Sequence, residues 1–306
     1  MPDTKFWYSP YTLEGTKPRS GALIRVEFPG LGVGHADVHP WTELGDASLV
    51  SQLKSLSGSP TSLTRNSLEF ARVEAQARNE SRSVFEGLRV PPSHFLLQEW
   101  NPRLLEKAVE TGFDRIKIKF PNSTLPTFPL PNAVKLRLDF NSRLSLTEFE
   151  AMLWNLGKET SQIEFFEDPV EGLTYHSKGA PLGMDRQAAS FPSLSAGFYP
   201  QFLVIKPAVT PWQELARQAL AAGVRPVFTS YLDHPLGQLS AAYAAAAAGI
   251  SETCGLMSHS AYKGSEFSER LGDPLRGGPE FQVPSGIGFG FDDLLDRLNW
   301  KSDKEL

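Results

Sequence analysis

The chain has 306 residues, of which 41% are hydrophobic and 21% charged, as is usual for a globular protein with a sizeable core. Its net charge of −5 argues against nucleic acid as a main partner. The single cysteine, Cys254, excludes an internal disulfide and a cysteine-rich metal site, which suits a reducing compartment. The first residues lack a signal-peptide pattern, and the small-residue run 241–250 is shorter than the roughly 20 apolar residues of a membrane span. We therefore expect a cytoplasmic protein with no membrane partner.

The front of the chain has the pattern of a small α+β unit. Residues 21–33 alternate in polarity and contain several glycines, which predicts a β-hairpin. Asp46 is placed to cap a helix over 47–56, and Thr61 or Ser62 is placed to cap a longer helix that reaches about Asn79. This order of strands followed by helices indicates a separate module.

From about residue 93, short apolar runs alternate with helical patterns. The predicted strands are 94–97, 115–120, 134–140, 163–166, 182–185, 202–206, 226–230 and 255–257. The predicted helices are 102–111, 147–159, 211–222 and 236–248, and the proline-rich stretch 121–132 is predicted to be a loop. This alternation favours a parallel sheet closed into a barrel, with function at the carboxyl ends of its strands.

We therefore predict an α/β fold, a modified TIM barrel of the (β/α)7β-like type with an α+β capping domain. The capping domain would span residues 1–92 and the barrel 93–265, and residues 266–306 would return onto the capping domain. An open doubly wound sheet is the structural alternative, but no glycine-rich phosphate loop follows the first strand.

Three acidic residues stand at the ends of predicted strands, namely Asp139, Glu167 and Asp185. Carboxylate oxygens are suitable ligands for a hard cation such as Mg²⁺. Taken singly, each acid would more often cap a helix or lie at the surface. Their placement at neighbouring strand ends favours a shared cation site, with Asp185 in the least distinctive context of the three.

Two strands that should be buried also carry lysines. Lys117 and Lys119 share one face of their strand, while Ile116 and Ile118 occupy the other, and Lys206 ends a strongly apolar strand. A lysine near other cations has a lowered pKa and can act as a general base. The competing interpretations are an edge strand with solvated lysines and, for Lys206, a side chain that extends from the barrel mouth into water.

In this order, the polar positions resemble the enolase superfamily. They are Lys117 and Lys119 in Lys-Ile-Lys, Asp139 in Arg-Leu-Asp-Phe-Asn, Glu167 in Phe-Glu-Asp-Pro, Asp185, and Lys206 in Lys-Pro. Within that superfamily, the chain is most similar to the o-succinylbenzoate synthase family, in a divergent form. Residues 34–41 and 229–237 support this similarity, which spans nearly the whole chain.

The resemblance implies roles for individual residues. Lys119 would be the base, Lys117 would tune it, and Lys206 would stabilise an enediolate from the opposite face. Asp139, Glu167 and Asp185 would hold Mg²⁺, with Mn²⁺ as an alternative ion. The supporting or substrate-binding residues would be Lys117, Arg137, Asn141 and, for the succinyl arm or a carboxylate, Ser230.

The implied activity is that of a lyase that dehydrates a small carboxylate substrate to o-succinylbenzoate in menaquinone biosynthesis. We expect a monomer or a weak oligomer. Two departures from the superfamily pattern stand out: Arg186 and Gln187 follow the third ligand, and no Asp-x-Asp follows the last strand. The second departure argues against a dipeptide epimerase. An N-succinylamino acid racemase, a cycloisomerase and a non-catalytic binding protein with the same barrel remain alternatives.

Overall fold

The structure is a computed structural model of the chain and describes residues 5–119, 131–172, 179–194 and 200–306. Most of the predicted loop 121–132, and Phe120 at the end of a predicted strand, lie outside the described residues.

The N-terminal module is an antiparallel sheet covered by two helices. Its strands are β1 (Lys5–Leu13), β2 (Arg19–Phe28) and β3 (Gly32–Val38), and its helices are α1 (Leu49–Ser55) and α2 (Ser62–Asn79). The predicted hairpin corresponds to β2 and β3, whereas β1 was not predicted. The close approach of α2 to β3 requires glycine at position 34, because a Cβ there would lie 1.8 Å from the Ala71 carbonyl oxygen.

The helix starts of this module were predicted with one error. Thr61 caps α2 by accepting a hydrogen bond from the Thr64 N–H. Ser48, not Asp46, caps α1, because its hydroxyl accepts from the Ser51 N–H at 3.3 Å. Asp46 instead accepts hydrogen bonds from the Trp41 N–H at 2.8 Å and the Tyr231 hydroxyl at 3.1 Å, so it joins the N-terminal module to the second part of the chain.

The second part of the chain is a parallel sheet of seven strands whose spatial order follows the sequence. The strands are β4 (Phe95–Leu97), β5 (Arg115–Lys119), β6 (Lys135–Asp139), β7 (Ile163–Glu167), β8 (Leu182–Met184), β9 (Phe202–Ile205) and β10 (Arg225–Phe228). The intervening helices are α3 (Pro102–Glu110), α4 (Leu146–Leu156), α5 (Trp212–Ala221) and α6 (Pro235–Ala247).

Cys254 and Gly255 join the two edges of this sheet. They form parallel bridges to Ser93, just before β4, and to Thr229, just after β10. The His94 N–H donates to the Cys254 carbonyl at 2.7 Å, and the Gly255 N–H donates to the Phe228 carbonyl at 2.7 Å. The predicted strand 255–257 is thus reduced to a bridge, but it occupies the eighth position and closes the sheet. The prediction of a (β/α)7β-like barrel with an α+β cap is confirmed.

The sequential parallel order explains why polar residues converge at one end of the barrel. All seven strands run in the same direction, so their carboxyl ends lie at one edge. Below that edge, Phe165, Phe202, Val204 and Val227 form a small buried cluster inside the barrel. Side chains at the strand ends therefore lie above an apolar floor.

The last part of the chain packs against the N-terminal module. It contains α7 (Glu266–Arg270), α8 (Pro274–Gly277), α9 (Asp292–Leu295) and β11 (Lys301–Ser302). β11 pairs with β1, and Arg78 on α2 bonds both the buried Glu74 and Asp292 of α9. Within the described residues, no helix has both the length and the apolar character needed to cross a membrane.

Candidate active site

Strand register brings the predicted acidic residues together. Lys119 pairs with Asp139 across β5 and β6, and Asp139 pairs with Glu167 across β6 and β7. Neighbouring strands lie about 4.8 Å apart, so side chains at paired positions are in reach of one another. Asp185 directly follows β8, and its carboxylate shares a hydrogen bond with Glu167.

Lys117 lies between two of these carboxylates. Its Nζ is 3.1 Å from Asp139 Oδ2 and 2.6 Å from Glu167 Oε1, so the two acids lie within a few ångströms of each other. Although burial opposes a buried charge, Asp139 and Glu167 raise the pKa of Lys117 above its usual range. Lys117 is therefore an ammonium group held inside an acidic cluster.

Burial raises the pKa of Glu167 to about 8, and the charges of Asp139 and Asp185 act in the same direction. Asp185 has a different environment, because both of its oxygens bond Lys206 Nζ. Although burial opposes ionisation, Lys206 and Lys117 lower the pKa of Asp185 below its usual range. The three carboxyl groups thus share two direct ammonium partners, Lys117 and Lys206.

Asp168 orients the turn that carries Asp185. It accepts hydrogen bonds from the backbone N–H groups of Asp185 at 3.1 Å and Arg186 at 2.7 Å. Its own backbone has a φ of 40°, an uncommon value for a residue other than glycine. Asp168 was not among the predicted site residues. The Glu-Asp-Pro sequence was a usable signal, because it places a second acid directly after a strand end.

Lys119 lies at the end of β5, on the same side of the barrel mouth. Burial lowers the pKa of Lys119, and the ammonium groups of Lys117 and Lys206 add to this effect, against the attraction of Asp139 and Glu167. A partly buried lysine with a lowered pKa is the type of group that can accept a proton near neutral pH.

Most of the predicted site residues line one cavity of about 140 Å³. Those that line it are Lys117, Lys119, Asp139, Asn141, Asp185, Lys206 and Ser230. Glu167 lies behind Lys117, with 1% of its surface exposed. Trp41 and Leu44 of the N-terminal module also line the cavity, so this module covers the barrel mouth.

Of two residues predicted to support the metal ligands, one contacts a predicted ligand directly and the other bonds different groups. Among the described residues, Arg137 contacts none of the three acids; its Nε donates to Glu164 at 2.6 Å and its Nη1 donates to the Thr253 carbonyl at 2.7 Å. The role of Arg137 in supporting the metal ligands stays a prediction; its side chain bonds Glu164, the Thr253 carbonyl and His94. Asn141 does contact Asp139, but through its backbone N–H at 3.1 Å.

The opposite wall of the cavity comes from the ends of β10 and the bridge segment. Ser230 Oγ lies 2.7 Å from Ser258 Oγ, and the Trp41 indole N–H donates to the Tyr231 carbonyl at 2.8 Å. Ser230 was a predicted site residue, and Trp41 and Thr229 lie in the segments 34–41 and 229–237 that support the family resemblance, but no role was predicted for Trp41, Thr229 or His94. Their place at the cavity depends on contacts between segments that are distant in the sequence.

The donor set of the acidic cluster fits a hard divalent cation. It consists of carboxyl oxygens from three strand ends, and, besides burial, the nearby charges of Asp139 and Asp185 raise the pKa of Glu167. Over the described ranges, no three acid, histidine or cysteine side chains are already gathered as a metal centre. Lys117 and Lys206 bond to the carboxylates instead, at positions where a cation would also be attracted.

Two sequence comparisons bear on the family. A family model described as the N-terminal domain of O-succinylbenzoate synthase matches residues 7–77. An o-succinylbenzoate synthase of Bdellovibrio bacteriovorus is 31% identical over 328 aligned positions, which cover 97% of this chain and 98% of that protein.

Solved structures with low sequence identity share the fold. A dipeptide epimerase from Enterococcus faecalis, complexed with Mg and the dipeptide L-Leu-L-Tyr, has a TM-score of 0.76 at 16% identity, covering 94% of this chain and 98% of that one. An N-succinyl Arg/Lys racemase from Bacillus cereus has a TM-score of 0.75 at 13% identity, covering 97% of each chain.

Proposed function

The chain belongs to the o-succinylbenzoate synthase family of the enolase superfamily, and from this membership we propose that it is a lyase that forms o-succinylbenzoate. The substrate is a cyclohexadiene carboxylate that bears a hydroxyl group and a succinyl side chain. Loss of water makes the ring aromatic, a step of menaquinone biosynthesis. The observation that carries the proposal is that Lys119 and Lys206 enter one cavity together with Asp139 and Asp185.

Lys119 is the proposed base. Its neutral amine removes the proton from the ring carbon that bears the carboxylate. The electrons of the broken C–H bond then move into the carboxylate. The resulting ammonium group then gives this proton to the leaving hydroxyl. The electrons held by the carboxylate return to form the third double bond of the ring as the C–O bond breaks, and water departs. The lowered pKa of Lys119 supports this role, and such catalysis contributes about 10²–10⁴ in rate.

Lys206 is proposed to stabilise negative charge on the substrate carboxylate. It follows β9, whereas Lys119 ends β5, so the two amines approach the cavity from separate sides. Asp139, Glu167 and Asp185 would hold Mg²⁺, or Mn²⁺, which supplies further stabilisation of the same charge. The Mg in the Enterococcus faecalis relative supports this assignment.

The direct test is turnover of the cyclohexadiene carboxylate by the purified protein with MgCl₂, measured by the appearance of the aromatic product. We expect Lys119→Ala to lower kcat by about 10²–10⁴. Lys135→Ala is the matched control, because Lys135 begins β6 and donates to the Ser161 carbonyl outside the cavity. Near-full turnover by Lys119→Ala would contradict the assignment of the base.

N-succinylamino acid racemisation is the second candidate function. It is favoured by the two amines on separate sides of the cavity and by the fold shared with the Bacillus cereus racemase. An N-succinylamino acid should be assayed beside the cyclohexadiene carboxylate with the same preparation. Racemisation without dehydration would make this second function the correct one.

We also propose the domain division given above, with a capping domain over 1–92, a barrel over 93–265 and a returning segment over 266–306. A cytoplasmic location and a monomeric or weakly oligomeric state stay predictions. Size-exclusion chromatography with light scattering would test the oligomeric state.

A further inference from the structure

His94 lines the active-site cavity but has no part in the reaction described above. It precedes β4, at the closing seam of the barrel, and only 5% of its surface is exposed. The acidic cluster belongs to β6, β7 and β8, whereas His94 lies beside the bridge segment between β10 and β4. His94 is therefore on the side of the cavity away from the acids.

Arg137 determines which ring nitrogen of His94 carries the proton. Arg137 Nη1 lies 3.0 Å from His94 Nδ1. A guanidinium group has only donors and does not lose its proton in proteins, so Nδ1 must accept this hydrogen bond through its lone pair. In the neutral ring, the proton then sits on Nε2.

The ring also stays neutral. Burial lowers the pKa of His94 well below its usual range, and the positive charges of Arg137 and Lys117 act in the same direction. His94 thus presents one N–H donor of fixed identity and no charge.

Among the described residues, the hydrogen bond to Arg137 is the one that the His94 ring makes, and it engages Nδ1. The position of the ring depends on the glycine at 255, because a Cβ there would lie 2.8 Å from His94 Nε2 and 2.6 Å from Cε1. Thr229 flanks the same glycine and also lines the cavity, and its buried hydroxyl lacks a partner among the described residues. The His94 Nε2–H on this wall is therefore available to a bound molecule.

We propose that His94 is a substrate-binding residue whose Nε2–H donates a hydrogen bond to an oxygen of the succinyl arm, and that Arg137 is the positioning residue that fixes its tautomer. This inference rests on the proposed function. The ring carboxylate is assigned to the acidic cluster, so the arm that extends from the ring reaches the opposite wall. A neutral N–H donor, oriented by the hydrogen bond from Arg137, suits the carbonyl or carboxylate oxygen of such an arm.

The test compares two probes and two variants. His94→Phe removes the donor, whereas His94→Gln keeps an acceptor for Arg137 and an N–H for the ligand. We expect His94→Phe to weaken binding of o-succinylbenzoate about tenfold and to leave binding of benzoate, which lacks the arm, unchanged. His94→Gln should retain most of the affinity. His259→Gln is the matched control, because His259 is buried but bonds Gln238 and the Gly272 carbonyl.

A spectroscopic measurement tests the positioning role separately. With ¹⁵N-labelled histidine, the His94 ring should show the neutral Nε2–H tautomer at pH 7 in the wild type. Arg137→Met should allow a mixture of tautomers; if that variant does not fold, the wild-type spectrum and the His94 variants still decide the matter. An Nδ1–H tautomer, or equal loss of both probes in His94→Phe, would overturn the inference.

These outcomes are separable from failure of the proposed function. A wild-type protein that neither dehydrates the substrate nor binds o-succinylbenzoate would refute the function itself. A wild-type protein that turns over the substrate, with a His94→Phe variant of unchanged KM and affinity, would refute only the role of His94.

Discussion

Two regions of the molecule bury carboxyl groups, and they stabilise them differently. At the barrel mouth, Asp139 and Glu167 lie 3.1 and 2.6 Å from Lys117 Nζ, and Asp185 bonds Lys206. The second region lies between the N-terminal module and the barrel, where Asp37 of β3 is near Asp233, just before α6. We call these two residues the seam pair.

The seam pair has hydrogen bonds but, within the described ranges, no lysine or arginine partner. Asp37 accepts from the Tyr11 hydroxyl at 2.6 Å and from the His234 N–H at 3.1 Å, and Asp233 accepts from the Tyr231 N–H at 3.3 Å. Burial raises the pKa of Asp233 to about 7, and burial together with the Asp233 charge raises that of Asp37 well above its usual range.

The contrast shows how one residue type serves two purposes. At the mouth, the ammonium groups of Lys117 and Lys206 offset part of the cost of burying carboxyl groups, although burial still raises the pKa of Glu167 to about 8. At the seam, the carboxyl groups avoid that cost by keeping protons, and their hydrogen bonds connect two parts of the fold. The acidic residues at the mouth thus suit the proposed reaction, whereas those at the seam hold the N-terminal module against the barrel.

The largest expected effect comes from removing a charge at the mouth. Asp139→Asn should lower kcat/KM by roughly 10³, because the site would lose one proposed metal ligand and several kcal/mol of stabilisation at the reacting carboxylate. Steady-state kinetics at several MgCl₂ concentrations would measure this loss. Asp114→Asn is the matched control, since Asp114 is exposed and pairs with Arg115 away from the cavity. If both variants had the same kcat/KM, the acidic residues at the barrel mouth would have no role in the reaction.

At the seam, Asp233→Asn should change the pH dependence of stability more than activity. The unfolded carboxyl loses its proton near pH 4, whereas the folded one keeps it to about pH 7. In the wild type, the proton on Asp233 therefore contributes its full stabilisation below pH 4. The free energy of unfolding then falls by about 2–4 kcal/mol as the pH rises towards 7. Asparagine cannot ionise, so the variant should gain stability relative to the wild type over this range.

Urea unfolding at pH 4, 5.5 and 7 would measure how the free energy of unfolding depends on pH. Asp296→Asn is the control, because Asp296 is exposed. The other titratable groups near Asp233 are Tyr11, Asp37, His39, Tyr231, His234 and Tyr262. Burial lowers the pKa of His39 and His234 to about 3 and raises that of the tyrosines. Among these described neighbours, Asp37 is the other carboxyl group whose pKa burial raises, so it acts in the same direction as Asp233. If the free energies of unfolding of Asp233→Asn and wild type changed in parallel with pH, Asp233 would not be protonated in the folded state as expected.

The smallest effect is expected where the N-terminal module covers the mouth. Trp41→Ala removes a cavity wall and the indole hydrogen bond to the Tyr231 carbonyl, which is worth about 1 kcal/mol. KM should rise roughly fivefold with little change in kcat. Trp154, which is 88% exposed on α4, provides the matched control Trp154→Ala. A rise in KM shared by both variants would mean that the cover has no specific role.

Much of the architecture follows from local pattern. The alternation of strands and helices predicted the barrel, and residues such as Thr61 predicted helix starts, because periodicity and capping act over a few neighbouring residues. The strand-end positions of Asp139, Glu167 and Lys119 were also readable, since parallel strands bring their carboxyl ends to one edge. Residues that were predicted from their positions at successive strand ends therefore lie close together in the structure.

Contacts between distant segments were decided only by the tertiary structure. Arg137 reaches His94 across 43 residues, and the His234 N–H reaches Asp37 across 197. Asp46 illustrates the same limit, because it joins the Tyr231 hydroxyl instead of capping the nearest helix. Local pattern determines which elements form and which residues stand at their ends. The partner of a buried polar group depends on which segment chain closure brings beside it, since such a group must be satisfied wherever it is buried.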